Sequence, residues 1–296
     1  MTSSIDTAGP ALRRWAPLNV GIALVIALGA SVIAYPSTAA WITDLTHAAT
    51  VSGYARSTSE RTPSERAALL GEARTFNEAL PYGPLRDPYV LNEEGGSEDL
   101  GVARDRYESL LAERPGGPLA RIRIPSIGVD LPVYHGTSEA TLARGIGHLF
   151  GSGLPVGGAG THSVLTGHSG FVGATLFTRL NELQRGDTFV VEAAGESFVY
   201  RVDQIAVVRP DEGDLLRRDP DRDLVTLLTC TPTGVNSHRL LVRGERVVSA
   251  EDAAEQIALA ERGAAASVPW LAFAILLAGA SLAVGTARMR VARRVS

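Results

Sequence analysis

The sequence predicts an all-β domain, a small barrel or sandwich, preceded by a helical region and carried between two membrane-spanning helices. Three observations carry this. Eight short segments rich in β-formers follow one another between Ala120 and Gly244, each bounded by Gly, Pro, Asn or Asp. Charged side chains are absent between Arg14 and Asp44, and a second uncharged stretch runs from Gly263 to Ala287.

The first span is placed at residues 18–40, after a tail at 1–17. Its heart, Val20 to Tyr35, is nearly all Ala, Val, Ile, Leu and Gly. About 20 apolar residues at ~1.5 Å rise match a hydrocarbon core of ~30 Å. Trp15, Tyr35 and Trp41 stand where interfacial aromatics belong. Basic residues before an apolar run, with small residues at Ser37 to Ala40, fit a cleaved signal peptide as well; retention of this span stays open. The second span, 267–287, ends at Arg288, Arg290, Arg293 and Arg294 on a basic tail, 288–296. Arginines outside both runs place both tails in the cytoplasm and the intervening segment outside the cell membrane.

Residues 41–114 form a helical region with a loop. Ala48 to Leu80 has a helical pattern, with Pro63 at an entry that Thr62 or Ser64 caps. Pro81, Gly83, Pro84 and Pro88 then break the helix, Asn92 to Asp99 is acidic, and Leu100 to Ala112 forms one more short helix. The β domain is assigned to 115–249. Its strands are Ala120–Pro125, Val129–Tyr134, Ser163–Thr166, Asp187–Glu192, Ser197–Val202, Ile205–Val208, Leu224–Cys230 and Arg239–Gly244, with a helix over Leu176 to Leu183. An amphipathic connector, 250–266, leads to the second span.

Composition narrows the function. A net charge of -4 and a pI near 5.9 give no basic surface for a phosphate backbone, so nucleic acid is excluded as a partner. All 28 basic residues are arginine, and lysine is absent; the codon usage of a GC-rich genome accounts for this most simply. The single cysteine, Cys230, rules out an intramolecular disulfide and a multi-cysteine metal site.

Cys230 closes the strand Leu224–Cys230 and is followed by the turn Thr231-Pro-Thr-Gly-Val-Asn-Ser. An antiparallel hairpin across this turn makes Arg239 its neighbour. A cation beside a thiol favours the thiolate, the reactive species, and can bind an oxyanion. Acyl transfer also needs a proton donor and acceptor. Of the six histidines, His47, His135, His148, His162 and His238 have settings where solvated or structural roles are expected. His168 follows a strand and is flanked by Gly167 and Gly170, which allow close backbone approach.

Thr166-Gly-His-Ser-Gly, Thr226-Leu-Leu-Thr-Cys-Thr-Pro and Asn236-Ser-His-Arg-Leu-Leu-Val-Arg-Gly resemble, in that order, the histidine, cysteine and arginine motifs of the sortase family. The resemblance extends over about Ala120 to Val248, including Gly145-Ile-Gly-His-Leu and Leu176-Phe-Thr-Arg-Leu. It implies a closed eight-stranded β-barrel with short helices, and no metal or organic cofactor. It also implies catalytic roles for His168, Cys230 and Arg239, and a substrate contact at Thr229. Arg243 shares the strand parity of Arg239; the motif match selects Arg239. Ser169 stands where the family commonly has arginine.

A second span and the segment Asp87-Pro88-Tyr89 make the chain most like the pilus-assembling class C enzymes. There the lid would pair Asp87 with Arg239 and lay Tyr89 over Cys230. The implied reaction cuts a C-terminal Leu-Pro-X-Thr-Gly sorting signal of a pilin or surface protein and passes the acyl group to a pilin lysine. A chain without lysine could not modify itself, a second reading of its composition. Two alternatives stand beside this one: a housekeeping enzyme whose acceptor is a cell-wall peptide amine, and a non-catalytic membrane-anchored scaffold with a structural Cys230.

Overall fold

The computed structural model describes residues 17–80, 101–112, 114–171 and 173–261, together with 270, 274, 277 and 278. The chain forms two compact units, residues 1–41 with 267–296, and residues 42–266.

Helix α1 runs Pro17–Ser59, 43 residues with Pro36 inside. By length and composition it can cross a membrane. In the first unit Leu24, Val25, Leu28, Val32 and Ile33 all point outward, which water penalises and lipid does not. Two of its hydroxyls are satisfied within the helix, as suits a hydrocarbon setting: Ser31 donates to Ala27 O (2.8 Å) and Thr38 to Ala34 O (3.0 Å). Of the expected second span only Trp270, Ala274, Leu277 and Ala278 are among the described residues, all helical.

In the second unit three helical pieces are nailed to a barrel by single buried polar side chains. The Tyr54 hydroxyl of α1 donates to Leu119 O and accepts from Ala194 N, both at 3.1 Å. Helix α2, Pro63–Ala79, starts in a capping box: Glu65 N donates to Thr62 Oγ1 (3.3 Å) and Thr62 N to Glu65 Oε2 (2.7 Å). Near its end Asn77 brackets Leu154, donating to its carbonyl at 2.9 Å and accepting from its N–H at 2.7 Å. Helix α3, Gly101–Ser109, buries Tyr107, whose hydroxyl accepts from Gly136 N (3.0 Å) and lies 2.9 Å from His148 Nδ1.

The barrel strands are β1 Ala120–Ile124, β2 Val129–His135, β3 Ile146–His148, β4 Thr161–Thr166, β5 Thr188–Ala193, β6 Glu196–Val208, β7 Asp223–Thr231 and β8 His238–Arg246. They close in the order β1-β2-β3-β4-β7-β8-β6-β5, the eight-stranded barrel that the motif resemblance implies. The pairs β2–β3 and β4–β7 are parallel and the others antiparallel. Alternate residues fill the interior, among them Ile122, Leu131, Ile146, Leu165, Phe189, Val225, Leu227, Leu240 and Val242. Short helix α4, Glu139–Leu142, joins β2 to β3, and α5, Ala250–Glu261, lays Ala253, Ile257 and Ala260 on Val190, Val199 and Val247.

Three local expectations change. The segments Ser197–Val202 and Ile205–Val208 are one strand, β6, interrupted at Asp203 by a register shift; this bulge puts a carboxylate where two arginines meet it. Strand β3 went unread because three residues carry no period. Leu176 to Leu183 is a turn and a 3-10 turn, Leu180–Glu182, and not an α-helix.

Candidate active site

Strands β4 and β7 run parallel, with Thr166 opposite Leu228. Two residues further along each chain stand His168 and Cys230. Cys230 is still within β7, and His168 lies just beyond the end of the neighbouring β4, strands spaced ~4.8 Å apart in a sheet. The pairing continues past the strand end: Gly167 N donates to Leu228 O (3.1 Å), and Thr229 Oγ1 donates to Gly167 O (2.7 Å). A Cβ at Gly167 would fall 2.6 Å from Ile146 Cδ1 and 2.9 Å from Phe177 Cδ2, so only glycine brings the histidine turn this close.

On the other side of β7, the β7–β8 hairpin sets Cys230 opposite Arg239. The two side chains share a face. Val225 and Leu227 of β7 and Leu240 and Val242 of β8 point into the barrel. Cys230 and Arg239 therefore point outward, beside the small apolar cluster of Leu149, Val164, Leu216, Leu228 and Leu241. Each is 8% exposed. Arg239 Nη1 donates to Asn236 O (3.0 Å) and His238 O (3.1 Å), neutral acceptors that fix its orientation. The register thus sets an arginine opposite the cysteine in a place largely shielded from water.

The His168 imidazole is held in its own plane. It stacks on Phe171, with centroids 5.5 Å apart and planes at 9°. Glu139 Oε1 of α4 lies 3.3 Å from its Nε2. The turn is tied to the hairpin loop through Ser169, whose Oγ is 2.7 Å from Thr233 Oγ1. The serine that replaces the family's usual arginine thus makes a contact of its own. Gly170, at φ +73°, packs so tightly on Thr233 that a Cβ would sit 2.2 Å from Cγ2; its close approach is to this loop.

The structure brings His168, Cys230 and Arg239 together at one end of β4, β7 and β8. Thr229 is buried with its hydroxyl directed to Gly167 O, which makes it a support of the histidine turn in this geometry. Asp87, Pro88 and Tyr89 lie outside the described residues.

The remaining histidines have structural or solvated settings. Burial lowers His148 to about 3 and His135 and His162 to about 4. His148 Nε2 is 2.8 Å from Gly153 O and must carry the proton, leaving Nδ1 to accept from Tyr107. His162 bridges Thr226 Oγ1 (2.7 Å) and Arg217 O (2.8 Å). His47 Nε2 lies 3.0 Å from Arg144 O, and His238 is exposed beside Ser237.

Arg243 has another occupation. It makes a two-point contact with Asp203, at 2.5 and 3.1 Å, and Arg222 bridges Asp203 and Glu245, each at 2.7 Å. Four residues along β8 put it ~13 Å from Arg239. Sequence reasoning passed over Glu139, Phe171 and Thr233, because each reaches the site from a connection whose course only the closed barrel fixes.

A family model described as "Sortase domain" matches residues 122–247. The chain is 49% identical to sortase C-1 from Actinomyces oris, with a TM-score of 0.58 over 63% of this chain and 100% of that one. It is 38% identical to sortase C1 of GBS Pilus Island 1, with a TM-score of 0.60 over 69% of this chain and 94% of that one. Sortase A of Bacillus anthracis is 30% identical over 129 residues, 44% of this chain; the match spans 60% of that relative's length.

Proposed function

Because the chain belongs to the sortase family, we propose that it is a class C-like cysteine transpeptidase in which Cys230, His168 and Arg239 do the chemistry. The observation that carries this is the convergence of three strands: Cys230 paired with Arg239 across β7–β8, and His168 two residues beyond the register point that sets Cys230 on β7. An acyl-transfer site needs those three groups in reach of one carbonyl.

In this reading the Cys230 thiolate attacks the threonine carbonyl carbon of a Leu-Pro-X-Thr-Gly-type sorting signal. A carbon–sulfur bond forms and negative charge moves to the carbonyl oxygen. Arg239 stabilises that oxyanion, where one well-placed donor can be worth ~3 kcal/mol. As the intermediate collapses, the carbon–nitrogen bond breaks and protonated His168 gives its proton to the leaving glycine amine. The acceptor amine then attacks the thioacyl carbon, loses a proton to His168, and releases the thiolate. Net, one amide bond replaces another.

The acceptor proposed is a lysine of a pilin subunit, giving an isopeptide-linked polymer. Two features support this: the sequence Asp87-Pro88-Tyr89, read as a lid that pairs with Arg239 and covers Cys230, and solved neighbours that include two sortases of the C-1 type. The housekeeping reading, with a cell-wall peptide amine as acceptor, differs only in the second half-reaction. In either case the catalytic unit stands outside the membrane on two spans, 18–40 and 267–287, with both termini in the cytoplasm. The domain boundaries at 41–114, 115–249 and 250–266 belong to the same proposal.

The test uses the full chain in detergent with a sorting-signal peptide and two acceptors in competition, a pilin-type lysine peptide and a cell-wall stem peptide. A thioacyl mass adduct on Cys230, resolved preferentially by lysine, is expected. An unmodified Cys230 would rule out the transpeptidase, and exclusive use of the stem peptide would replace the pilus reading by the housekeeping one.

A further inference from the structure

The barrel order β2-β3-β4-β7-β8 sets four chemical groups side by side. Helix α4, which joins β2 to β3, presents Glu139; the turn after β4 presents His168; β7 presents Cys230 and β8 Arg239. The imidazole therefore has the sulfur-bearing strand on one side and a carboxylate-bearing connection on the other. Glu139 Oε1 lies 3.3 Å from His168 Nε2. That nitrogen is shielded from solvent and lies at ion-pair distance from the carboxylate without the alignment of a hydrogen bond, and the glutamate side chain is 75% exposed.

We propose that Glu139 is a positioning residue for His168, holding Nε2 so that Nδ1 is the nitrogen that exchanges protons with the sulfur and the amines. The proposal rests on the transpeptidase reading and adds a fourth member to its site. The negative charge of the nearby carboxylate favours the tautomer that carries its hydrogen on Nε2, which leaves the other nitrogen as the base. Phe171 stacked on the ring fixes its plane, and the Glu139 charge biases which ring edge turns toward α4. The α4 backbone that carries the carboxylate is itself pinned, because Ser138 Oγ accepts from Thr141 N at 3.2 Å. Since Glu139 packs into no core, its removal leaves the barrel intact.

The test compares the full chain with Glu139→Ala and Glu139→Gln in detergent, reading kcat and KM for acylation by a sorting-signal peptide. The imidazole ¹⁵N shifts of His168 are read in histidine-labelled protein. A misplaced proton carrier costs about tenfold to hundredfold, so Glu139→Ala is expected to lower kcat by that factor with KM nearly unchanged. Its His168 nitrogens shift from an Nε2–H pattern toward a mixture. Glu139→Gln, whose amide oxygen still accepts, recovers part of both. A wild-type kcat in Glu139→Ala, or a lowered kcat with an unchanged nitrogen pattern, overturns the proposal. Failure of the transpeptidase reading would look different: wild-type protein would form no thioacyl adduct, while the nitrogen shifts would still decide whether Glu139 holds the ring.

Discussion

Cys230 and Arg239 face each other as a cross-strand pair, and Val208 of β6 occupies the far side of Arg239. The arginine is thus enclosed between two strands with its guanidinium tied to the hairpin loop, while Arg243, on the same face, is spent on Asp203. The two arginines should separate cleanly. Arg239→Ala is expected to cut kcat/KM for acylation by about 10²–10³ without lowering the melting temperature. Arg239→Lys should not restore it, because a point charge lacks the guanidinium fork. Arg243→Ala should retain turnover and lose roughly 2 kcal/mol of stability, the order of a charged hydrogen-bonded contact. Kinetics and thermal unfolding of the three variants decide it; the opposite pattern would move the catalytic role to Arg243.

The histidine turn and the β7–β8 loop meet at Gly170 and Thr233. A methyl at position 170 collides with Thr233 Cγ2 and adds strain at φ +73°. Gly170→Ala should therefore lower kcat and stability together. Thr233→Ser removes Cγ2 but keeps the hydroxyl that meets Ser169, and the double variant should recover part of the loss. Strictly additive effects in that cycle would show that the contact does not hold the turn.

Three histidines whose folded pKa is pushed far down make the fold acid-sensitive. His148 is depressed to about 3, His135 and His162 to about 4, each chiefly by burial. In the unfolded chain they titrate near 6.5, so below that pH the unfolded state binds more protons and stability falls with falling pH. Each histidine costs ~1.4 kcal/mol per pH unit from 6.5 down to its folded value. Asp223, raised by burial, acts in the opposite sense near the carboxylate range. Urea unfolding at pH 8, 6.5 and 5 should show a midpoint that drops steeply over the last interval. His162→Gln should flatten the curve, and a flat wild-type curve would contradict the assignment of neutral rings.

The hairpin pairing of Cys230 with Arg239 was legible because a β-rich run, a turn sequence and a second run lie contiguous in the chain. His168 was legible from its glycines and its motif. What the sequence could not show was the parallel pairing of β4 with β7, which spans more than fifty residues and is fixed only when the barrel closes. Glu139, Phe171 and Thr233 depend on that closure. Asp203 was hidden for a different reason: a bulge residue interrupts the alternation that would have revealed one long strand, and its partners come from elsewhere, Arg222 from just before β7 and Arg243 from within β8.

The Asp87-Pro88-Tyr89 segment predicts a kinetic asymmetry. If it covers Cys230, Asp87→Ala and Tyr89→Ala should raise hydrolysis of a short peptide and the rate of Cys230 alkylation by a thiol reagent. Both rates unchanged in folded variants would remove the lid assignment.

The absence of lysine can be tested against the proposed acceptor chemistry. A thioacyl-enzyme that hands its acyl group to a lysine amine should also acylate a lysine placed within reach. Val235, exposed on the β7–β8 loop between Cys230 and Arg239, is a suitable position, because a side chain there does not disturb the core. Val235→Lys should accumulate a covalent adduct of the sorting-signal peptide on residue 235 during turnover, read by peptide mass mapping. The adduct should disappear when Cys230→Ala is added. Full turnover to an external lysine acceptor with no adduct at 235 would mean that lysine-free composition protects nothing, leaving codon usage as its explanation.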